Sequence, residues 1–166
     1  QAPVAAVRYA GQLLATEHGT NRVISLAADG VRGVFAMTSP SGLVVHAGAL
    51  YVTDRESGSV YQLGANNQLL AAPQQVITGL VTPEGIASLG ADFVIVEGAT
   101  GHIKRVTLDG AQTLLATIPA GTPAPGPAQP PSMVFNGVAV GPDGTIYATG
   151  ETSRKLYTIT ENLGSE

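Results

Sequence analysis

The sequence predicts an all-β chain: a β-propeller of four-stranded antiparallel blades, about four in number, whose ring is either closed by those blades or left incomplete. Three observations carry this reading. The first is composition: 21 of 166 residues are Gly and only 12% are charged, against about 7% Gly and about a quarter charged in an ordinary globular chain. A solvent-facing helix needs Lys and Glu along its outer side, and a disordered chain has fewer Val, Leu and Ile and more charge. Many short strands joined by Gly-rich turns fit better. The second is patterning: apolar and polar residues alternate over short runs rich in β-branched and aromatic types, and no long segment has a helical period. The third, and strongest, is internal repetition.

Four segments superimpose. Gln12-Leu-Leu-Ala-Thr-Glu17, Ala49-Leu-Tyr-Val-Thr-Asp54, Asp92-Phe-Val-Ile-Val-Glu97 and Thr145-Ile-Tyr-Ala-Thr-Gly150 each read as an apolar strand, ending on an acid in three of the four. A polar turn and a second short strand follow in the same register: Arg22 to Leu26, Ser59 to Leu63, His102 to Val106 and Lys155 to Ile159. Upstream, Gly42-Leu-Val-Val45, Gly85-Ile-Ala87 and Gly137-Val-Ala-Val140 open on a glycine, and Val4-Ala-Ala-Val7 fills that slot in the first repeat. The separations of about 37, 43 and 53 residues fall within or near the range of propeller blades. Asp29-Gly30, Asn66-Asn67, Asp109-Gly110 and Pro142-Asp143-Gly144 supply turn residues.

The chain therefore divides into repeats at about 4–38, 39–80, 81–118 and 132–160 of a single domain, 1–166. Between the last two lies Pro119 to Pro131, whose six prolines forbid ladder pairing and predict an extended surface loop. The fourth repeat lacks its outermost strand, because only Glu161 to Glu166 follow.

Asn136-Gly-Val-Ala-Val-Gly-Pro-Asp-Gly-Thr-Ile-Tyr147, with Pro83-Glu-Gly-Ile-Ala87 as the next best match, resembles the blade of NHL-type propellers. It is also similar to the gluconolactonase/regucalcin, strictosidine-synthase-like superfamily. The resemblance covers nearly the whole chain as repeats and implies architecture more than activity. Propellers of that superfamily usually have six blades, so four imply a compact small ring, a longer polypeptide, or an incomplete ring. The last leads to the expectation that a protein partner or a second copy covers an exposed blade edge, since bare edges invite association.

In such propellers the loop entering the inner strand and the loop after the second strand open on one face near the axis. The residues in those columns are Ser41, Glu84 and Asn136, and Glu17, Asp54, Glu97 and Gly150. Clustered carboxylate and amide oxygens suit Ca²⁺, or another divalent metal such as Mg²⁺. The resemblance implies that Glu84 and Asn136 are metal ligands, in an enzyme whose metal polarises a lactone carbonyl and activates water. Against this, they lie in consecutive repeats and no Asp completes the inner column. For Glu17, Asp54 and Glu97 the residues themselves favour a local role, accepting hydrogen bonds from the next turn.

Other chemistry is thinly represented. A net charge of −4 with eight basic residues gives no footprint for nucleic acid or an anionic membrane. The uncharged stretch from Gly110 to Pro142 is too rich in proline and polar residues to span a bilayer. The chain has no Cys, and no Gly-x-Ser-x-Gly elbow or phosphate-binding loop. His18, His46 and His102 occupy different repeat positions, so they are not expected to share a metal. Tyr51, Tyr61, Tyr147 and Tyr157 recur at matched positions and are expected to pack blades; Arg22, Lys104, Arg105, Arg154 and Lys155 are expected to keep the outer surface soluble. The Gln-Ala-Pro start fits a mature, extracytoplasmic (periplasmic or secreted) chain, and equally an arbitrary boundary.

These features favour a non-catalytic propeller module acting as a protein-binding or assembly subunit. The alternative is a metal-dependent lactonase or gluconolactonase-like hydrolase of lactones or esters, with Asp54 or Glu97 as a distant candidate for the base.

Overall fold

The computed structural model describes residues 3–120, 135–150 and 152–160. They form a β-propeller of four antiparallel blades. Blade 1 comprises β1 (Pro3–Tyr9), β2 (Gln12–Glu17), β3 (Arg22–Ala27) and β4 (Gly30–Ala36). Blade 2 comprises β5 (Pro40–His46), β6 (Ala49–Asp54), β7 (Ser59–Ala65) and β8 (Gln68–Ile77). Blade 3 comprises β9 (Pro83–Leu89), β10 (Asp92–Glu97), β11 (His102–Val106) and β12 (Gln112–Thr117). Blade 4 has three strands among the described residues, β13 (Val138–Val140), β14 (Ile146–Gly150) and β15 (Lys155–Ile159). The repeats thus fold as the sequence pattern predicts. Of the proline-rich loop only Pro119 and Ala120 lie within the described residues, and Glu161 to Glu166 lie outside them.

Local chemistry builds the blades. At Asn66-Asn67 both residues have positive φ, 50° and 57°, the conformation that closes a tight hairpin and that Asn tolerates. Along each second strand, successive side chains point to opposite faces, so one strand serves two interfaces. Leu50 and Val52 pack with Leu14 and Val23 between blades 1 and 2. Tyr51, between them in sequence, turns the other way and packs with Phe93 and Ile95 between blades 2 and 3. Its ring meets Phe93 edge-on at 5.0 Å, a geometry worth about 1 kcal/mol beyond area burial. Val94 and Val96 then join Ile146 and Ala148 between blades 3 and 4.

The inner strands approach more closely than side chains allow. A Cβ on Gly42 would lie 2.5 Å from the Glu84 carbonyl oxygen, and one on Gly85 would lie 2.8 Å from the Val138 nitrogen. This contact, not backbone conformation, explains the glycine that opens the inner strands. Threonine hydroxyls lock the approach. Thr16 Oγ1 accepts from Ala5 N (3.1 Å) and donates to the Ser41 carbonyl of the next blade (2.6 Å). One repeat later, Thr53 Oγ1 accepts from Gly42 N (2.8 Å) and donates to the Glu84 carbonyl (2.7 Å). Blade 3 carries Val96 at the matched position, buried in the core shared with blade 4.

Tyr51 sits in an inter-blade core, and Tyr61 and Tyr157 pack against theirs. Tyr147 departs from the expected packing role. It lies on the outward face of blade 4 and is exposed, because that face meets no further blade among the described residues.

Replacing Thr53 by Val keeps the shape and removes the hydroxyl, taking the acceptor from the Gly42 N–H and leaving the Glu84 carbonyl with the Ser41 hydroxyl, at 3.1 Å, in place of two donors. Thr53→Val is expected to cost about 2 to 3 kcal/mol in urea denaturation with an unchanged m-value. A loss below about 0.5 kcal/mol would mean that shape alone holds the inner strands together.

Candidate functional site

The inner strands of all four blades converge on a pocket of about 200 Å³, whose lining includes Ala5, Gly42, Glu84, Gly85, Asn136 and Gly137. Glu84 is the buried charge of this face, 3% exposed. It enters at the start of β9 and lies under Gly98, where a Cβ would fall 2.2 Å from Glu84 Oε1. Its Oε2 accepts from the backbone N–H and the side-chain Nδ2 of Asn136, at 2.7 and 2.8 Å. Its Oε1 faces Arg55 Nη2 at 3.0 Å. The two residues singled out from the sequence therefore do meet, but as hydrogen-bond partners.

Arg55 and Phe135 were not singled out from the sequence. The Arg55 guanidinium lies 4.9 Å from the Phe135 ring centroid. His18 meets the same ring edge-on at 5.1 Å, with Nδ1 3.1 Å from Ser39 Oγ. Burial, together with the Arg55 charge, pushes the His18 imidazole below its ordinary 6.5. Both causes favour the neutral form of the ring. Arg55 Nε is buried and has no hydrogen-bond partner among the described residues.

The remaining candidates are held by local structure. Ser41 is fully buried; its hydroxyl contacts Thr53 Oγ1 at 2.9 Å and donates to the Pro83 and Glu84 carbonyls, so it belongs to the strand junction. Asp54 accepts three backbone N–H groups, from Thr38, Ser39 and Ser57, at 2.8 to 3.1 Å. Glu17 accepts from Thr20 Oγ1 and Arg22 Nε at 2.8 and 2.7 Å, and these bonds hold its carboxyl below the usual range. Glu97 is fully buried. It accepts from Val81 N (2.8 Å), Thr100 Oγ1 (2.9 Å) and Lys104 Nζ (2.7 Å). Burial alone would raise its pKa, but those bonds together hold it below the ordinary 4.5.

The capping role expected for the second-strand acids extends further than expected, because it recruits cations. Arg22 and Lys104 are corrected from surface solubilisers to counterions of Glu17 and Glu97, and Arg105 pairs with Asp92 at 2.6 Å. A buried carboxylate demands such a partner; the sequence pattern shows the cation but not which way it points. The histidines are dispersed, as expected. His46 packs edge-on against Phe93, and His102 lies 3.5 Å from Glu97.

A divalent cation does not fit this arrangement as it stands. Both Glu84 oxygens are engaged, one by a guanidinium, and no group of three His, Cys, Asp or Glu stands together among the described residues. What the site offers instead is a buried ion pair beside an aromatic ring and an imidazole.

Arg55→Met would leave Glu84 as a buried, uncompensated charge and is expected to destabilise the protein by about 3 kcal/mol in chemical denaturation. Arg55→Met combined with Glu84→Gln should recover much of that loss; equal losses in both variants would show that the ion pair is not what matters. Glu97 titrates lower in the folded than in the unfolded chain. Its contribution is therefore present above the unfolded value near 4.5 and lost as pH falls through the folded pKa. The urea midpoint should drop as pH falls below the unfolded value near 4.5 and through the folded pKa, and the drop should be smaller in Lys104→Met. An identical drop in that variant would assign the acid sensitivity elsewhere.

No protein-family model matches the chain, and no curated protein sequence matches it significantly. Solved structures do. Virginiamycin B lyase from Staphylococcus aureus superimposes with a TM-score of 0.63 at 15% identity over 94% of this chain and 54% of its own. A gluconolactonase from Xanthomonas campestris gives 0.62 at 18% identity over 90% and 58%. A protein of unknown function from Bacteroides thetaiotaomicron gives 0.69 at 16% identity over 96% and 41%. The chain thus spans little more than half the length of the lyase and the gluconolactonase. At these identities the shared property is the fold: a propeller of the architecture that gluconolactonase-like proteins and virginiamycin B lyase also use.

Proposed function

We propose that this protein is a non-catalytic propeller module, a protein-binding or assembly subunit that presents its axial face and an exposed blade edge to another protein. The observation that carries the reading is the state of the candidate carboxylates. Glu84 is closed by Arg55 and Asn136, Asp54 by three backbone amides, and Glu97 by Lys104 and its neighbours. A carboxylate that abstracts a proton or binds a metal needs a free lone pair directed at its target, and these lone pairs are engaged by the fold.

A second reading is a metal-dependent lactonase, with Ca²⁺ or another divalent metal held by Glu84 and Asn136. The meeting of those two residues at the axis supports it, as does the likeness to a gluconolactonase fold. It requires Arg55 to leave Glu84 before a cation can enter. Calorimetric titration with Ca²⁺ and Mg²⁺, run beside a lactone-hydrolysis assay on the parent and Glu84→Ala, separates the two. The assembly reading expects negligible heat and no turnover in either protein. Saturable heat and turnover that vanish in Glu84→Ala would replace it with the hydrolase.

A further inference from the structure

Of the five asparagines in the chain, only Asn136 is followed by glycine. Asn-Gly is the dipeptide in which an asparagine side chain is most readily attacked by its own backbone. With no Cβ on the following residue, the peptide nitrogen can swing onto the side-chain carbon. In the unfolded chain nothing opposes this. In the folded chain both reacting ends are held. The nucleophile is the Gly137 nitrogen, and its N–H donates to Thr149 Oγ1 at 2.7 Å. The leaving group is Asn136 Nδ2, which donates to Glu84 Oε2 at 2.8 Å, while the Asn136 backbone N–H donates to the same oxygen at 2.7 Å. Asn136 is buried. The Thr149 bond belongs to the repeat, since Ala5 N and Gly42 N are bound in the same way by Thr16 and Thr53.

We propose that Asn136 is a deamidation site that the axial cluster holds shut. When the cluster opens, the Gly137 nitrogen gives up its proton and attacks Asn136 Cγ. The Cγ–Nδ2 bond breaks, and Nδ2 leaves with that proton as ammonia, closing a succinimide ring. Water then adds to one of the two ring carbonyls and breaks its bond to the ring nitrogen, which takes a proton back. The product at position 136 is aspartate or, by the other opening, isoaspartate. Water is the only reagent consumed.

Either product changes the axis. Aspartate puts a second carboxylate where the amide donor was, beside Glu84 Oε2, and two carboxylates so placed do not both ionise freely. Isoaspartate adds a methylene to the main chain. It does so where a Cβ on Gly85 would already lie 2.9 Å from the Asn136 carbonyl oxygen and 2.8 Å from the Val138 nitrogen. Strands that abut across a glycine have no space for a longer backbone. The modification is therefore one-way: it removes a bond that closes Glu84, and the lengthened strand no longer fits the junction of blades 3 and 4. This holds whether the axial face serves assembly or catalysis.

Peptide mapping by mass spectrometry, on the full chain kept in mildly alkaline buffer with and without guanidinium chloride, reads the rate at each asparagine. In denaturant Asn136 should deamidate first, and Gly137→Ala should slow it to the rate of the other asparagines. In the folded chain the rate at Asn136 should fall at least about tenfold, because the site is reached only through local opening. Thr149→Val frees the Gly137 nitrogen and should raise the folded-state rate severalfold without changing the rate in denaturant. Thr149→Ser, which keeps the hydroxyl, should restore the parent rate. Since Thr149→Val could misfold, its circular-dichroism spectrum is compared with the parent's; if it does not fold, the ratio of folded to denatured rates in the parent decides. Equal rates at Asn136 with and without denaturant, no effect of Gly137→Ala, or a folded Thr149→Val protein that deamidates no faster than the parent overturns the proposal.

Discussion

The structure depends on how closely its inner strands can approach. Two backbones pressed together across Gly42 and Glu84, and again across Gly85 and Asn136–Val138, leave no room for a side chain at either glycine. Buried amides and carbonyls need partners, and hydroxyls of the second strands supply them from behind. Each threonine ties its own inner strand to the next blade, so blade orientation is fixed by hydrogen bonds as well as by the apolar cores farther out.

That approach also creates the axial cluster. Because β9 and the strand entry at Asn136 are pressed together, Glu84 is withdrawn from solvent and must be neutralised where it stands. Asn136 and Arg55 do this. The guanidinium is in turn held over Phe135, against which His18 rests. The same rule runs along the second-strand acids. Glu17 and Glu97 recruit Arg22 and Lys104 from the adjacent strand, while Asp54, which has Ser59 where Glu17 has Arg22 and Tyr61 where Glu97 has Lys104, closes on backbone amides. The acids that look catalytic in the sequence are engaged by cations and hydrogen bonds of the fold, and that state underlies the preference for an assembly role.

Much of the fold was legible because its signals are local and repeated. Alternation places Leu50 and Tyr51 on opposite faces whatever the surroundings, and four copies of the pattern reinforce one another. The strand-entry glycines were legible as a motif, although their reason, a neighbouring backbone within 3 Å, is not local. The site was legible only in part. Glu84 and Asn136 could be placed together by repeat position, but Arg55 follows a second-strand acid in one blade alone, and His18 and Phe135 sit in turns outside the periodic pattern. No repeat could announce them. The orientation of Arg22 and Lys104 was also hidden, because a cation beside a strand can face water or a carboxylate with the same sequence.

What the sequence determined by itself is the architecture: strand number, blade period, the residues that alternate between interfaces, and the column in which acids fall. These follow from side-chain periodicity and backbone preference, which act over a few residues. The tertiary structure decided which of those residues are free to act. It paired Glu84 with Arg55, buried Tyr51 but left Tyr147 and Leu156 open, and gave Thr16 and Thr53 an acceptor in the next blade. Each outcome depends on what lies across an interface, a property of two segments distant in sequence that no single repeat contains.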